Sequence, residues 1–377
     1  MPKPSPASTL LRIAREPKPV SMLLERWRDR KTRQVFASGA PSRALDDNTY
    51  TVALGFDYQK RPILRALYPD HHFLFVPDGV TTTQFNTVLS WLCTPSVEQR
   101  ELFVWSKRDA QYSDCVKGRL SAAIRFEDGF LRSRGLAVSG ALPHSFCIDE
   151  TGLHFDGTRP SDLETLIRNN PTGSQAEQAR ASRVMAALAE TGLTKYGGKG
   201  TGYSLPEGAI LVLGQVEDDA SILSNPDGLQ TNQQLVEHAL QDYPAKRVMY
   251  RAHPDVAAGA RPALSHPASL LPPENIVPTD IGITEIFKQR PVVYTISSLG
   301  GFEALMHGLE VHCYGAPFYA GWGLTVDHLQ FERRGVTRSL IDVFHAAYIS
   351  YPRYFDPMTG KACSIEDTMR ALSGKKV

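Results

Sequence analysis

Short apolar runs separated by helix-length segments follow one another from residue 49 onward. The first four runs are TYTVALGF (49–56), HHFLFVPDG (71–79), ELFVWSKRD (101–109) and RLSAAIRFEDG (119–129). They are nearly continuous in apolar residues instead of alternating, which is typical of parallel strands buried on both faces of a sheet. The segments between them are long enough for crossover helices. The first half is therefore predicted to be a doubly wound α/β domain.

A helical region and a glycine-rich stretch separate this series from a second one. Residues 160–191 have apolar positions at helical spacing, and TKYGGKGTGYSLPEG (194–208) is typical of an interdomain hinge or a binding loop. The second series comprises AILVLGQVEDDASI (209–222), KRVMYRAHPD (246–255), ENIVPTD (274–280), PVVYTISSLGGFEALMHG (291–308) and LEVHCYGAPFYAGWG (309–323). Most of these strands are followed by glycine, histidine, serine or an acid. Ligands bind at that end of the strands in open α/β sheets.

The two series predict an α/β protein of GT-B type, in which two Rossmann-like domains face each other across a cleft. This is an architecture of sugar-nucleotide enzymes. A length of 377 residues agrees with two domains, because single cores seldom grow beyond roughly 250 to 300 residues. The predicted divisions are a basic segment (1–35), a first domain (36–195), a second domain (196–350) and a terminal segment (351–377) that can cross back to the first domain.

Composition excludes several classes of protein. Hydrophobic residues make up 42% of the chain, no run approaches the roughly 18 apolar residues of a membrane span, and the start does not resemble a secretory signal. We therefore expect a cytoplasmic protein. A formal net charge of +1 gives no reason to expect nucleic acid as a partner. The amino-terminal segment is nevertheless basic and contains Trp27, so it can contact the anionic inner face of the inner membrane as a peripheral surface.

The motif YTISSLGGFEALMHG combines a strand end, small polar residues and a helix start. Ser297, Ser298, Gly300 and Gly301 lie at the turn, and Glu303 follows in the helix. Backbone N–H groups and hydroxyls at such a turn can bind a phosphate, and Glu303 can accept hydrogen bonds from ribose hydroxyls. The alternative is an ordinary strand-to-helix turn whose glycines serve only packing.

The motif RAHPD places His253 at the end of the preceding strand, followed by Pro254 and close to Arg251. An imidazole beside a phosphate site can donate to a departing phosphate. The alternative is a histidine that only makes structural hydrogen bonds.

The motif IRFEDGFLRS concentrates charge at one strand end of the first half. Arg125, Glu127, Asp128 and Arg132 lie within eight positions, and adjacent carboxylates are costly to place in a cleft without a partner or a task. One carboxylate can act as nucleophile or base, while an arginine can bind the carboxylate of an acidic sugar. The alternative is a capped turn with surface ion pairs.

The motif GQVEDDASI follows another strand. Gln215 can face a nucleotide ligand, and Glu217, Asp218 and Asp219 can either bind Mg²⁺ or form an N-cap cluster ahead of a helix.

The later motif YGAPFYAGWGL contains Tyr319 and Trp322, which can stack on a base or sugar or can pack a domain interface.

Taken in order, EDGFLRSRGL, GQVEDDASI, RAHPD, SSLGGFEALMHG and YGAPFYAGWGLT resemble motifs of the KpsC-type retaining β-Kdo transferases of capsule polysaccharide assembly. The resemblance spans about residues 100 to 330. It implies the GT-B fold, CMP-β-Kdo as donor (Kdo is 3-deoxy-D-manno-octulosonic acid) and a glycan or glycolipid as acceptor. It also implies a catalytic and acceptor site in the amino-terminal half and a CMP site in the carboxyl-terminal half.

Retention of configuration implies two inversions through a carboxylate glycosyl-enzyme. By this resemblance Asp128 is the nucleophile, with Glu127 as the alternative, and His253 donates to the phosphate of CMP. The CMP-binding set is Gln215, His253, Pro254, Ser297, Ser298, Gly300 and Glu303. Arg125, Arg132 or Lys195 pairs with the Kdo carboxylate. No metal and no cofactor are expected.

The sequence departs from the capsule enzymes in one respect. Those proteins resemble two such modules in tandem, whereas 377 residues hold one, which is expected to make one type of linkage. The alternatives are a sugar-nucleotide epimerase of GT-B fold, a non-catalytic CMP-sugar-binding or glycan-binding subunit of an export complex, and a metal-dependent phosphotransferase that uses the acidic run after Gln215.

Overall fold

The computed structural model describes residues 20–39, 50–93, 100–133, 141–169, 171–193 and 200–373, with side chains from residue 24 onward. Within these ranges the chain forms two sheets. The strands of the first are β1 (Tyr50–Leu54), β2 (His72–Val76), β3 (Arg100–Trp105), β4 (Leu120–Asp128), β5 (Ser145–Asp149) and β11 (Pro352–Tyr354). The strands of the second are β6 (Ile210–Leu213), β7 (Val248–Arg251), β8 (Val292–Thr295), β9 (Val311–Cys313) and β10 (Val326–Asp327).

The strand orders are β11-β5-β4-β3-β1-β2 in the first sheet and β10-β9-β8-β6-β7 in the second. Strand β1 is parallel to β2 and β3, β3 to β4, β6 to β7 and β8, and β9 to β8 and β10. Among the strand pairs whose register is described, only the edge pair β11–β5 is antiparallel. The predicted α/β class with two parallel sheets is confirmed.

Helices connect most of these strands. They are α1 (Val20–Ser38), α2 (Lys60–Leu67), α3 (Thr82–Leu92), α4 (Ser113–Val116), α5 (Asp162–Asn169), α6 (Gln175–Thr191), α7 (Ala220–Leu223), α8 (Asn232–Asp242), α9 (Pro254–Ala257), α10 (Ile283–Phe287), α11 (Leu299–Met306), α12 (Leu340–Phe344) and α13 (Ile365–Ser373). A π-helix, His345–Ser350, continues from α12. None of the described helices has the length and hydropathy of a membrane span.

The described residues form two compact units, one within Met1–Glu127 and Phe355–Ala362 and the other within Asp128–Tyr354 and Cys363–Val377. The domain boundaries predicted from the sequence, at residues 35, 195 and 350, stay predictions.

In the first unit, helix α1 is held by buried ion pairs instead of by an apolar face alone. Asp29 is 3% exposed and its Oδ1 lies 2.8 Å from Arg61 Nη1, while Glu25 is 1% exposed and lies 2.9 Å from Arg65 Nε. Burial alone would raise the pKa of Asp29, but hydrogen bonds and the charge of Arg61 hold that pKa below its usual value. The acids of α1 therefore point inward, and Val35 and Phe36 complete its packing.

In the second unit, the sequence marks both ends of helix α6. Ser174 and Glu177 form a capping box at its start, and Gly192 ends it in the left-handed conformation, with φ of 59°. The apolar face of α6 packs through Ala181, Val184 and Leu188 into the main core of this unit.

The strand predicted at ENIVPTD (274–280) is wrong. Ile276 makes only an isolated bridge with Tyr250, and residues Pro273–Asn275 form a 3-10 turn. The guanidinium of Arg251 donates to the carbonyl oxygens of Pro278, Thr279 and Ile281. Because a buried arginine satisfies these carbonyls and Pro278 has no N–H, the segment does not need a neighbouring strand and cannot fully pair with one.

Candidate nucleotide and catalytic site

Three strand ends of the second sheet lie side by side. Strand β6 runs between β7 and β8, all parallel, so the residues after Leu213 lie between those after Arg251 and those after Thr295. Gln215, His253 and Ser297, which were predicted from three separate motifs, therefore lie at the same edge of one sheet. This is the edge at which ligands bind in open parallel sheets.

Gln215 binds Ser297 through both atoms of its side-chain amide. The backbone N–H of Ser297 donates to Gln215 Oε1 at 2.7 Å, and Gln215 Nε2 donates to Ser297 Oγ at 3.2 Å. A backbone N–H can only donate, so the amide atom that faces it must be the oxygen. The orientation of the amide is therefore set by its partners, and the side chain of Gln215 supports the serine loop from within the protein.

The second serine of the motif caps helix α11. Ser298 Oγ accepts from the N–H of Gly300 at 3.2 Å, and the carbonyl oxygen of Ser298 accepts from the hydroxyl of Tyr319. A Cβ atom at Gly301 would lie 2.2 Å from that same hydroxyl. The serine and glycine positions thus meet the steric and capping needs of this turn, whatever ligand binds above it.

His253 has a defined tautomer. It is 8% exposed and is the N-cap of α9, where its Nδ1 accepts from the N–H of Asp255 at 3.1 Å. A ring nitrogen that accepts carries no hydrogen, so in the neutral ring the hydrogen is on Nε2. Pro254 occupies the first helical position, where its missing N–H costs nothing. In neutral His253 the ring donor is therefore Nε2, and its contact with a phosphate stays a prediction.

Glu303 is buried in α11, with 5% of its surface exposed. It lines a small cavity together with Leu188, Phe287, His307 and Tyr348. Burial lowers the pKa of His307, so the ring beside Glu303 favours the neutral form. The predicted contact between Glu303 and a ribose stays a prediction.

The carboxylate predicted to be the nucleophile lies at the last position of β4. Asp128 Oδ2 lies 2.7 Å from Arg132 Nε, while Asp128 Oδ1 is buried without a hydrogen-bond partner among the described residues. Successive strand residues point to opposite faces of a sheet, so Glu127 and Asp128 are directed apart. One oxygen of Asp128 therefore lies beside a guanidinium, and the other is buried without a hydrogen-bond partner among the described residues; its role as nucleophile stays a prediction.

The glycine of the EDG motif has a steric cause. The N–H of Gly129 donates to the carbonyl oxygen of Ser145 at 3.0 Å, and a Cβ atom at this position would lie 2.1 Å from Ser145 Oγ. Ser145 Oγ in turn donates to the carbonyl oxygen of Leu131 at 2.7 Å. Only glycine lets the chain after Asp128 approach β5 this closely.

The three cations predicted to bind the Kdo carboxylate differ in their surroundings. Arg132 lies beside Asp128. Arg125 forms a bidentate pair with Asp109, at 2.9 and 3.0 Å, so its guanidinium already has a carboxylate partner. Lys195 lies outside the described residues. A contact of any of these cations with a sugar stays a prediction.

The acidic run after β6 is divided among separate partners. Glu217 Oε1 accepts from the N–H of Asn232 at 2.5 Å, Asp218 pairs with Arg261 at 2.6 Å, and Asp219 is the N-cap of α7. No group of three potential metal ligands converges within the described part of the chain. Of the two alternatives predicted for these acids, the N-cap holds for Asp219. Glu217 instead accepts a backbone hydrogen bond, and Asp218 forms an ion pair.

The aromatic loop YGAPFYAGWGL packs the interior. Tyr319 and Trp322 are both 0% exposed, so packing, not stacking on a ligand, describes them. The ring of Phe318 lies 4.7 Å from that of Phe130, two residues after Asp128, and Tyr319 reaches Ser298. This loop therefore connects the turn that follows Asp128 with the serine loop.

Asn232 is the functional candidate that sequence reasoning missed. Its side chain binds both backbone groups of Gln215, at 2.8 and 2.9 Å. The segment TNQQ indicates the start of a helix, since Thr231 and Gln234 form a capping box. Nothing in the local pattern indicates that the first helical residue reaches back to β6.

Comparison of the sequence with known proteins assigns the chain to a family. Residues 117–196 and 206–354 match the family model described as capsule polysaccharide biosynthesis protein. The chain is 36% identical over 326 residues to the lipopolysaccharide-processing protein LpsZ of Rhizobium meliloti, covering 84% of this chain and 72% of LpsZ. It is 34% identical over 256 residues to the capsule polysaccharide modification protein LipA of Neisseria meningitidis serogroup B, where it spans 67% of itself but only 36% of LipA.

Two solved structures share the fold. The β-Kdo 2,4 transferase of Thermosulfurimonas dismutans KpsC matches with a TM-score of 0.71 and 29% identity, over 87% of this chain and 99% of that one. The β-Kdo 2,7 transferase of the same KpsC matches with a TM-score of 0.66 and 27% identity, over 86% and 99%. The expected resemblance to KpsC-type proteins and the GT-B-like fold are thereby confirmed. The chain is a member of the capsule polysaccharide biosynthesis protein family.

Proposed function

We propose that this protein is a retaining glycosyltransferase that moves Kdo from CMP-β-Kdo to a glycan acceptor in the assembly of bacterial surface polysaccharide. The observation that carries the proposal is the carboxylate of Asp128, which has one oxygen oriented by Arg132 and one buried oxygen without a hydrogen-bond partner among the described residues. The similarity to two Kdo transferase structures and the donor groups at the ends of β6, β7 and β8 support it.

In the first step Asp128 Oδ1 attacks the anomeric carbon of Kdo. A bond forms between that oxygen and the carbon, and the bond from the carbon to the phosphate oxygen breaks, leaving its electron pair on CMP. Arg132 holds the carboxylate in one orientation, which lowers the entropic part of the barrier. His253 Nε2–H and the hydroxyl of Ser297 donate to the departing phosphate, where negative charge develops.

In the second step an acceptor hydroxyl attacks the same carbon from the opposite face. The ester bond to Asp128 breaks, its electron pair returns to the carboxylate, and the hydroxyl proton passes to a basic group or to water. Two inversions give net retention. Glu127 remains the alternative nucleophile. Because successive residues of β4 point to opposite faces of the sheet, replacing one of the two carboxylates should leave the position of the other unchanged.

The test is a transfer assay with CMP-Kdo generated in situ and a panel of Kdo-terminated and hexose-terminated acceptors. Wild type and Glu127→Gln should transfer Kdo, whereas Asp128→Asn should lose about 10³-fold or more in rate. Asp218→Asn is a matched control, because this exposed acid pairs with Arg261 at the surface. Transfer by Asp128→Asn but not by Glu127→Gln would reassign the nucleophile. No transfer and no CMP binding would favour the epimerase or a glycan-binding subunit, whereas CMP binding without transfer would favour a CMP-sugar-binding subunit.

We further propose that helix α1 contacts an anionic membrane surface, where a glycolipid acceptor would be found. Its acids are buried, whereas Arg30 and Lys31 are exposed, Trp27 is 54% exposed, and Lys31 lies 3.9 Å from the centre of the Trp27 ring. A basic face with an interfacial aromatic residue suits anionic lipid headgroups. Sedimentation with phosphatidylglycerol vesicles should exceed that with phosphatidylcholine vesicles, and Arg30→Glu with Lys31→Glu should abolish the difference. Equal binding to both vesicles would contradict the proposal.

A further inference from the structure

Asn232, the first residue of α8, clasps the backbone of Gln215. The N–H of Gln215 donates to Asn232 Oδ1 at 2.8 Å, and Asn232 Nδ2 donates to the carbonyl oxygen of Gln215 at 2.9 Å. The backbone N–H can only donate and the carbonyl oxygen can only accept, so the amide of Asn232 can take only one orientation. Asn232 is 6% exposed, and buried hydrogen bonds of this kind are strong and poorly replaced by water.

Glu217 anchors Asn232 from the other side. The backbone N–H of Asn232 donates to Glu217 Oε1 at 2.5 Å, and the hydroxyl of Ser265 donates to the same oxygen. Glu217 is 6% exposed, both donors bind its Oε1, and its Oε2 is buried without a hydrogen-bond partner among the described residues. The carboxylate therefore ties the start of α8 to the loop that follows β6.

The chain of hydrogen bonds ends at the serine loop, where it sets the direction of the hydroxyl hydrogen of Ser297. Gln215 Nε2 donates to Ser297 Oγ, so that oxygen acts as an acceptor toward Gln215. The hydrogen of the Ser297 hydroxyl is then directed to a second acceptor. A phosphate oxygen held above the ends of β6, β7 and β8 is an acceptor of the right charge.

We propose that Asn232 and Glu217 are positioning residues for the phosphate of the nucleotide, acting through Gln215 on the N–H and hydroxyl of Ser297. The inference rests on the proposed function and deepens it by giving helix α8 a role in donor binding. Loss of either residue should weaken binding of the phosphate specifically, because the network ends on the N–H and hydroxyl of Ser297. These are the groups that would bind the phosphate, and not the base or the ribose.

The test compares CMP with cytidine, which lacks the phosphate, by titration calorimetry on the full chain. Asn232→Ala and Gln215→Ala should each raise the Kd of CMP about tenfold, or about 1.4 kcal/mol, and leave the Kd of cytidine unchanged. The double variant should bind CMP no more weakly than either single variant, because both act through the same serine. A purely structural role would weaken both ligands together.

Gln234→Ala is the matched control on the same helix. Gln234 forms the capping box with Thr231 and does not touch Gln215, so its loss should lower the melting temperature and leave the ratio of CMP to cytidine affinity unchanged. If Asn232→Ala does not fold, Asn232→Asp carries the test, since it keeps the acceptor for the Gln215 N–H and loses the donor. Equal losses for CMP and cytidine, or additive losses in the double variant, would overturn the inference alone. A wild type that binds no CMP would overturn the proposed function as well.

Discussion

Replacement of Gly129 by alanine tests how the turn after β4 places Asp128. The new Cβ atom would lie 2.1 Å from Ser145 Oγ and 2.7 Å from Ser145 Cβ. Uncharged atoms pack at roughly 3.5 Å, so the two segments must separate by about 1 Å. Ser145 cannot yield easily, because it is 0% exposed, donates to Leu131 and is paired with Tyr354 of β11.

The expected magnitude has two parts. Overpacking of this kind costs about 1 to 3 kcal/mol of the free energy of unfolding. A displacement of about 1 Å at the reacting carboxylate costs about 10²-fold in rate. We therefore expect Gly129→Ala to reduce kcat about a hundredfold while the protein remains folded.

The assay combines urea denaturation with initial rates of Kdo transfer for Gly129→Ala, Ser145→Gly and the double variant. Ser145→Gly removes both clashing atoms and leaves the backbone carbon of residue 145, at 3.3 Å, as the nearest contact. The double variant should therefore be more active than Gly129→Ala alone. Gly173→Ala is the control, since the nearest atom to its new Cβ lies at 3.9 Å and its stability should be nearly unchanged. Full activity in Gly129→Ala, or no recovery in the double variant, would refute this reasoning.

Three further predictions concern stability, the serine loop and metals. Asp29→Ala leaves Arg61 buried without its partner and should lower the free energy of unfolding by about 3 to 5 kcal/mol at neutral pH, against less than about 1 kcal/mol for Asp218→Asn. Because the pKa of Asp29 is lower in the folded state, its contribution is present above the unfolded pKa near 4 and is lost as the pH falls through the folded pKa. Urea titrations should therefore show the deficit of Asp29→Ala shrinking at acidic pH, and a deficit independent of pH would contradict this. Tyr319→Phe removes the donor to the Ser298 carbonyl and should lower stability by about 1 to 2 kcal/mol and weaken CMP binding several-fold; unchanged CMP affinity in calorimetry would count against it. Transfer should proceed at the same rate in EDTA, because the acids after β6 have separate partners, and a metal requirement would argue for the phosphotransferase instead.

Most strands could be predicted from the sequence because buried parallel strands are continuous apolar runs. Strand β6 begins one residue after the predicted start at 209, and β8 one residue after 291. The failure at ENIVPTD has a tertiary cause, since Arg251 binds the carbonyls of that segment and no local pattern reveals this. The antiparallel edge strand β11 likewise depends on a partner more than two hundred residues away.

The site could be predicted in part. Polar residues at strand ends indicated Gln215, His253 and Ser297, because the carboxyl ends of parallel strands share one edge. The partners of these residues could not be predicted, since Asn232 reaches Gln215 from a separate helix. The opposite directions of Glu127 and Asp128 follow from the strand period, but only because the structure extends β4 to Asp128, whereas the sequence suggested a turn there.

Burial changed the interpretation of the aromatic motif. Tyr319 and Trp322 were equally compatible with stacking on a ligand and with packing, because sequence alone does not give their exposure. Both are 0% exposed, so these aromatic residues of YGAPFYAGWG pack in the core behind the serine loop.

The central claim is that Asp128 forms a covalent glycosyl-enzyme, and intact-protein mass spectrometry tests it most directly. Wild type, Asp128→Ala and Glu127→Gln would be mixed with CMP-Kdo without acceptor, and the modified residue mapped by peptide digestion. We predict a mass increase of one Kdo residue on Asp128 in wild type and Glu127→Gln, its absence in Asp128→Ala, and its discharge when acceptor is added. Transfer by wild type that persists in Asp128→Ala, or an adduct that maps to another residue, would contradict the mechanism.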